Sequence, residues 1–233
     1  VRMQAQHGVD WIKVYADRSY YHPSGGGWAA IPNFTAEEMR AIVDEAHNLR
    51  KRVAAHSMTP TGHRVALGAG VDSIEHGDVL DDETVKTMAA RKVPYCPTLT
   101  VTDFVRGPRS KTNPIWTDLW TAAEESFRRA HKAGVPIAFG TDAGGFDWDK
   151  RRQAEEFSFM VRWGMTPWDA IRSATVVAAE LLGESGRLGC LAPGCAADLI
   201  AVAKDPLADV KALEDVRFVA VRGRVVKDPA AAR

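Results

Sequence analysis

The sequence predicts an α/β fold: a parallel sheet wrapped by helices, followed by a small β-rich tail. Three observations predict it. Short apolar runs alternate with amphipathic helical segments as far as Gly183. Polar residues of the kind that bind metals stand at the ends of several of these runs. After Gly183 the texture changes to β-rich segments broken by turns. Serial strand–helix units call for a parallel sheet, because each parallel step needs a crossover that the helix supplies.

The elements follow in order. WIKVYA (11–16) reads as the first strand. The next segment, TAEEMRAIVDEAHNLR, reads as a helix. Thr35 and Glu38 have capping-box spacing, and Met39, Ile42, Val43, Ala46 and Leu49 recur at helical period. RVAAH (52–56) is a second strand, and a short helix carrying Val65, Ala66 and Leu67 leads to Gly70. DSIEH (72–76) is a third strand, and the helix after it opens at Asp81 or Asp82 and buries Val85, Met88 and Ala89. VPYCPTL (93–99) is a fourth strand. The polar stretch from Thr100 to Pro114, with Gly107 and Pro108, reads as a long loop. A helix from Ile115 to Ala133 ends at Gly134, and PIAFGTD (136–142) is a fifth strand. Two helices follow. The second starts at Thr166-Pro167, an N-cap with proline at the first helical position, buries Ile171, Ala174, Ala178 and Leu181, and stops at Gly183. In the tail, ADLIAVA (197–203) and VRFVAVRGRVV (216–226) read as strands, which divides the chain into 1–183 and 184–233.

Composition narrows the function. Of 233 residues, 45% are hydrophobic and 26% charged, a mix that supports a packed core. Thirty basic residues balance thirty acidic ones. That balance argues against nucleic acid or a polybasic membrane interaction, which both need net positive charge. No apolar run approaches the ~18 residues of a membrane span. Cys96, Cys190 and Cys195 make an odd count without a CxxC pair, so free buried thiols are expected rather than a disulfide or a thiolate zinc site. The chain opens with Val1 in what reads as the tail of a helix, so an N-terminal truncation is expected. The compartment, cytoplasmic or periplasmic or secreted, stays open.

Lys13 lies inside the first strand, His56 ends the second, His76 ends the third, and Asp142 ends the fifth. In a parallel barrel the strand C-termini converge on one face, where active sites are built. Each residue alone has an ordinary explanation. A strand-end histidine is often structural, and an Asp before Ala-Gly-Gly is often a turn former. A lysine in an apolar strand needs a partner, deprotonation or modification if it is buried.

WIKVYA, VAAHS, SIEHG, FGTDAGG and the closing GRLGCLAPGCAADLIAV resemble, in this order, the amidohydrolase superfamily, in particular its imidazolonepropionase-like and prolidase-like branch. The resemblance covers essentially the whole chain. It implies a partial TIM (β/α)8 barrel, comprising strands four to eight and their helices, with C-terminal strands of a small β-sandwich domain. Lys13 matches the lysine that carbon dioxide converts to a metal-bridging carbamate, a reaction that burial of the amine would favour. His56 and His76 match ligands of the more exposed metal, and Asp142 matches the ligand of the other metal that also shuttles the proton. The implied cofactor is a divalent metal, with zinc expected and two ions in a complete protein. The implied reaction is attack by metal-activated hydroxide on an amide, peptide-like or cyclic amide C–N bond of a small molecule. Tyr15, on the same strand face as Lys13, is placed to donate a hydrogen bond to the oxyanion.

One part of the family pattern is absent. The seven histidines, His7, His22, His47, His56, His63, His76 and His131, include no His-x-His pair, which would hold the buried metal. This chain alone is therefore expected to be weak or inactive, and its first and last strands are expected to be open edges, compatible with homo-oligomers. His63 and Phe146 are further candidates to line a substrate pocket, with a surface position the ordinary alternative for His63. His22 and Trp148 lie in loops on the same side, and Arg151 and Arg152 are candidates for an anionic substrate group. Other readings are a mononuclear deaminase or imidazolonepropionase-like hydrolase, a Schiff-base lysine enzyme at Lys13, and a truncated non-catalytic fragment. The strand lysine speaks against the first, and the paired histidines and Gly-Thr-Asp run are not required by the second.

Overall fold

A computed structural model of the chain describes residues 1–228. A short helix α1 (Arg2–Gln6) leads into β1 (Trp11–Tyr15), a hairpin of β2 (Asp17–Tyr21) and β3 (Ala29–Pro32), and α2 (Ala36–Asn48). Then come β4 (Arg52–Ser57), α3 (Pro60–Ala69), β5 (Ser73–His76), α4 (Asp82–Arg91) and β6 (Tyr95–Cys96). Five helices follow: α5 (Leu99–Arg109), α6 (Ile115–Lys132), α7 (Glu155–Arg162), α8 (Pro167–Ser173) and α9 (Val176–Leu182). The chain continues through β7 (Leu199–Val202), β8 (Val216–Val221) and β9 (Arg224–Lys227). It forms two compact units, Val1–Pro97 with Thr102–Ile137, and Thr98–Val101 with the chain from Ala138 on.

In the first unit β1, β4, β5 and β6 form a parallel sheet in that order. Its strands alternate. Ile12, Val14, Val53 and Ala55 are buried on one face, as are Met39, Val43 and Ala46 of α2. Lys13 and Tyr15 sit on the other face and are exposed. Burial, the condition that would favour a carbamate at Lys13, is not met in this structure. WIKVYA is apolar in composition but alternates in period, and its lysine falls on the open face.

Local signals placed the helix ends. Thr35 and Glu38 form the reciprocal capping box of α2, Asp81 caps α4 through the Thr84 amide, and Thr166 caps α8 ahead of Pro167. Elsewhere tertiary bonds override them. Residues 99–109 are helical, not a loop, because the buried Glu156 carboxyl accepts from the Leu99 and Thr100 amides and the Thr100 hydroxyl, capping α5 from afar. The strand expected over 93–99 shrinks to Tyr95–Cys96, since Leu99 already opens that helix. The strand expected over 136–142 is reduced to a single parallel bridge, Tyr95 to Ile137. The helix expected from Thr166 to Gly183 breaks after Ser173, whose carbonyl accepts from Phe139 N while Thr175 Oγ1 bonds back to Ile171 O at 2.9 Å.

In the second unit β7, β8 and β9 form an antiparallel sheet, with the Arg222-Gly223 turn joining the last two. The expectation of free thiols fails here. Cys190 and Cys195 form a disulfide across the Leu-Ala-Pro-Gly turn, with Cα atoms 6.0 Å apart, and Cys96 is buried and outside any disulfide. The residues between them turn the chain back on itself, which is what brings the thiols within bonding reach. Among the described residues no helix is long and apolar enough to cross a membrane.

Candidate metal centre

The parallel register builds the site. Tyr15 lies opposite His56, and His56 opposite Glu75, so the three occupy one row near the strand C-termini. The Tyr15 and His56 rings stack with centroids 4.4 Å apart. Register pairs His76 with Ser57, in the next row, whose side chain is on the buried face. His76 nevertheless lies against His56, ring centroid to ring centroid 4.5 Å. Its backbone explains this, since φ is +70°, a left-handed conformation that turns the side chain away from the strand's alternation. Such a residue costs about 1–2 kcal/mol, and strained residues of this kind cluster at functional sites.

Electrostatics suit ligation. Burial drives His56 down to about 4, and the nearby Lys13 ammonium pushes the same way. Burial, then His56 and Lys13, hold His76 well below the ordinary histidine range. Both imidazoles are thus neutral near pH 7, the form that offers a lone pair to a cation.

Beneath the row lies a buried polar cluster that sequence reasoning missed. Asp17, at the base of the hairpin, is fully buried and accepts from Met58 N at 3.1 Å, Thr59 N at 3.0 Å and Thr59 Oγ1 at 2.8 Å. Burial raises its pKa against these donors. Asp78 is also fully buried, and among the described residues neither of its carboxyl oxygens has a hydrogen-bond partner. Burial, then the charge of Asp17, pushes it up to about 8, so it is mainly protonated at pH 7. Tyr20 places its hydroxyl 2.8 Å from His56 Nε2, and burial with the carboxylates of Asp17 and Asp78 raises its pKa. The available signal was slight: an Asp directly after a strand, and a tyrosine pair two residues into the following loop.

His63 is fully buried on α3, its Nε2 3.1 Å from Ser57 O, and burial lowers it to about 4, so the surface position that was the ordinary alternative does not hold. In the second unit, Asp142 follows residues 136–141, with φ +51°, and Gly145 N donates to its carbonyl. Phe146 is buried and Trp148 exposed. Arg151 pairs with Glu155 and Arg152 with Glu214, which occupies both charges. His22 contacts Gly27 O and Asp118, and His47 binds Asp72.

Among the described residues no three His, Cys, Asp or Glu side chains converge to hold a metal ion. The converging set is two imidazoles and an amine. An ammonium is no ligand, but its carboxylated form presents oxygen donors, so the residues fit a divalent ion once Lys13 is carboxylated.

The chain matches the amidohydrolase family over residues 1–226 and belongs to it. Among individual proteins it is 33% identical over 246 residues to ochratoxinase from Aspergillus niger, covering 98% of this chain and 48% of that protein. It is 31% identical over 170 residues to an imidazolonepropionase from Geobacillus thermodenitrificans, covering 71% of this chain and 37% of that protein. A crystal structure of a Xaa-Pro dipeptidase with methionine in its active site superposes with a TM-score of 0.87 at 35% identity, covering 97% of this chain and 57% of that one. The chain thus spans about half the length of the relatives it matches.

Proposed function

We propose that this chain carries part of the catalytic centre of a metal-dependent hydrolase that cleaves C–N bonds in small amide or dipeptide-like substrates. The observation that carries it is the meeting of two neutral imidazoles, His56 and His76, on neighbouring parallel strands, with Lys13 acting on both. The similarity to an ochratoxinase and a Xaa-Pro dipeptidase supports amide substrates.

In this reading residues 1–183 belong to a (β/α)8 barrel and 184–233 to a β-sandwich domain. His56, His76 and carboxylated Lys13 would hold a divalent ion, zinc by the chemistry of the donors, and that ion would supply hydroxide near neutral pH and polarise the carbonyl. Lys13, on the open face, is accessible to carbon dioxide. Tyr15 donates its phenol proton as a hydrogen bond to the oxyanion that forms on the carbonyl. Asp142 takes the proton of the attacking nucleophile and passes it to the leaving amine; its place in the Gly-Thr-Asp run supports that role.

Zinc titration by calorimetry, paired with hydrolysis of a panel of Xaa-Pro dipeptides and N-acyl amino acids, tests the reading. Zinc should bind the wild-type chain and lose affinity in His56→Ala and His76→Ala. Equal zinc uptake by wild type and both variants would overturn it. The absence of a His-x-His pair favours weak turnover by this chain alone, and turnover undiminished against that of a prolidase-like relative carrying the pair would overturn that part.

A further inference from the structure

We propose that Tyr20 is a positioning residue that holds the Nε2 edge of His56 and so leaves Nδ1 as the atom that ligates the cation. The inference rests on the reading of His56 as a metal ligand and adds what orients its ring: the Tyr20 hydroxyl at Nε2.

Three contacts surround the His56 ring. Tyr15 covers one face, His76 meets it edge-on, and the Tyr20 hydroxyl lies 2.8 Å from Nε2. Among the described residues, Nδ1 has no hydrogen-bond partner. A neutral imidazole has one bare nitrogen and one N–H, and the partner of one nitrogen sets the task of the other. With a cation on Nδ1, the proton sits on Nε2 and donates to the Tyr20 oxygen. With Nε2 as the ligand, that contact would have to break.

Tyr20 is held from two sides. The Trp116 ring meets it edge-on at 6.3 Å, and Trp116 is itself capped by the Arg109 guanidinium at 4.4 Å. From the other side, Asp17 begins the strand that carries Tyr20 and fastens it to Met58 and Thr59, immediately after β4. The strand bearing the tyrosine is therefore pinned to the strand bearing the histidine a few residues from both. Such outer partners orient ligating histidines, and their loss weakens metal binding about 10–100-fold.

Two measurements on the full chain test this. Long-range proton–nitrogen NMR reads the tautomer of His56, assigned by comparison with His56→Ala. In the zinc-loaded wild type it should show the proton on Nε2, bonded to Tyr20, and Nδ1 metal-bound. Tyr20→Phe should weaken zinc by about 10–100-fold and broaden or mix the tautomer signal, while Tyr21→Phe, an exposed neighbour on the same strand, should leave both unchanged. Nε2 ligation in the wild type, or unchanged affinity and tautomer in Tyr20→Phe, overturns the inference while leaving the metal reading intact. If Tyr20→Phe does not fold, the wild-type tautomer alone decides. Failure of the wild type to bind zinc brings down the metal reading, and this inference with it, before any variant of Tyr20 is compared.

Discussion

Gly62→Ala sets two effects of known size against each other. Gly62 lies inside α3 without a left-handed φ, so alanine there should gain about 0.5–1 kcal/mol of helix propensity. The added Cβ, however, would stand 2.5 Å from Asp17 Oδ2 and 2.6 Å from both Asp17 Cγ and Ser57 Oγ. Real contacts of that kind do not exist, so the carboxylate must move. It has nowhere free to go, being fully buried and holding the Met58 and Thr59 amides and the Thr59 hydroxyl. Hydrogen bonds to a charged group contribute about 1.5–3 kcal/mol each. Losing one outweighs the helix gain by about 0.5–2.5 kcal/mol, and losing two leaves the variant about 2–5.5 kcal/mol less stable. For a chain of this size the loss of two is a melting temperature lower by about 4–22 °C. Differential scanning calorimetry of the two proteins at one pH and salt concentration measures it. A variant as stable as wild type, or more so, would show that Asp17 does not clamp the hairpin to β4 as argued.

Three further outcomes are expected. Burial raises Glu156 to about 7 from an ordinary 4.5, so the folded state binds its proton more tightly than the unfolded chain. This term stabilises at low pH and is lost as pH rises from about 4.5 to 7, by roughly 3 kcal/mol; urea melts across that range should show Glu156→Gln lacking it, and parallel curves for the two proteins would refute it. His63 has the opposite sign: lowered to about 4, it costs the folded state stability as pH falls from 6.5, again roughly 3 kcal/mol by pH 4, and His63→Gln should remove that part of acid unfolding. The Cys190–Cys195 bond predicts that the denatured, unreduced chain takes up one alkyl group, at Cys96, and the reduced chain three, read by mass spectrometry. Closing that short loop should stabilise the fold by about 2 kcal/mol relative to the reduced form.

What could be read from the sequence follows from the range of the forces involved. Thr35 with Glu38, Asp81 and Thr166 act within one turn of their helices, and the sequence showed all of them. The order of the parallel strands was legible too, because apolar runs separated by helices leave few alternatives. The helix at 99–109 was hidden because its cap, Glu156, lies 57 residues from Leu99, while Gly107 and Pro108 argued locally for a loop. The disulfide was missed because an odd cysteine count was allowed to outweigh the turn-forming Ala-Pro-Gly that separates Cys190 from Cys195 by so little chain. Composition alone left open whether Lys13 is buried. Trp11, Lys13 and Tyr15 alternate with Ile12 and Val14, and the period, read strictly, already put the lysine on the face away from the helices.

The candidate site exposes a deeper limit of such patterns. A strand presents every second residue to one face, so a row of ligands from adjoining strands should come from residues in register. Tyr15 and His56 obey that rule, whereas His76 is registered with Ser57 and would face the buried side if its backbone stayed extended. Its positive φ reverses the direction of one side chain without shifting the strand's pairing, which is why Ser57 can remain buried while the imidazole beside it reaches His56. Histidine is among the few residues other than glycine that tolerate this conformation. The residue type that can ligate is thus also one that can adopt the turn that makes ligation possible. Replacing His76 by a β-branched residue would therefore remove the donor and strain the strand end together, whereas asparagine, which tolerates the same φ, would remove the imidazole with far less strain on the backbone, and the difference in stability between the two variants would measure the conformational cost carried at this position.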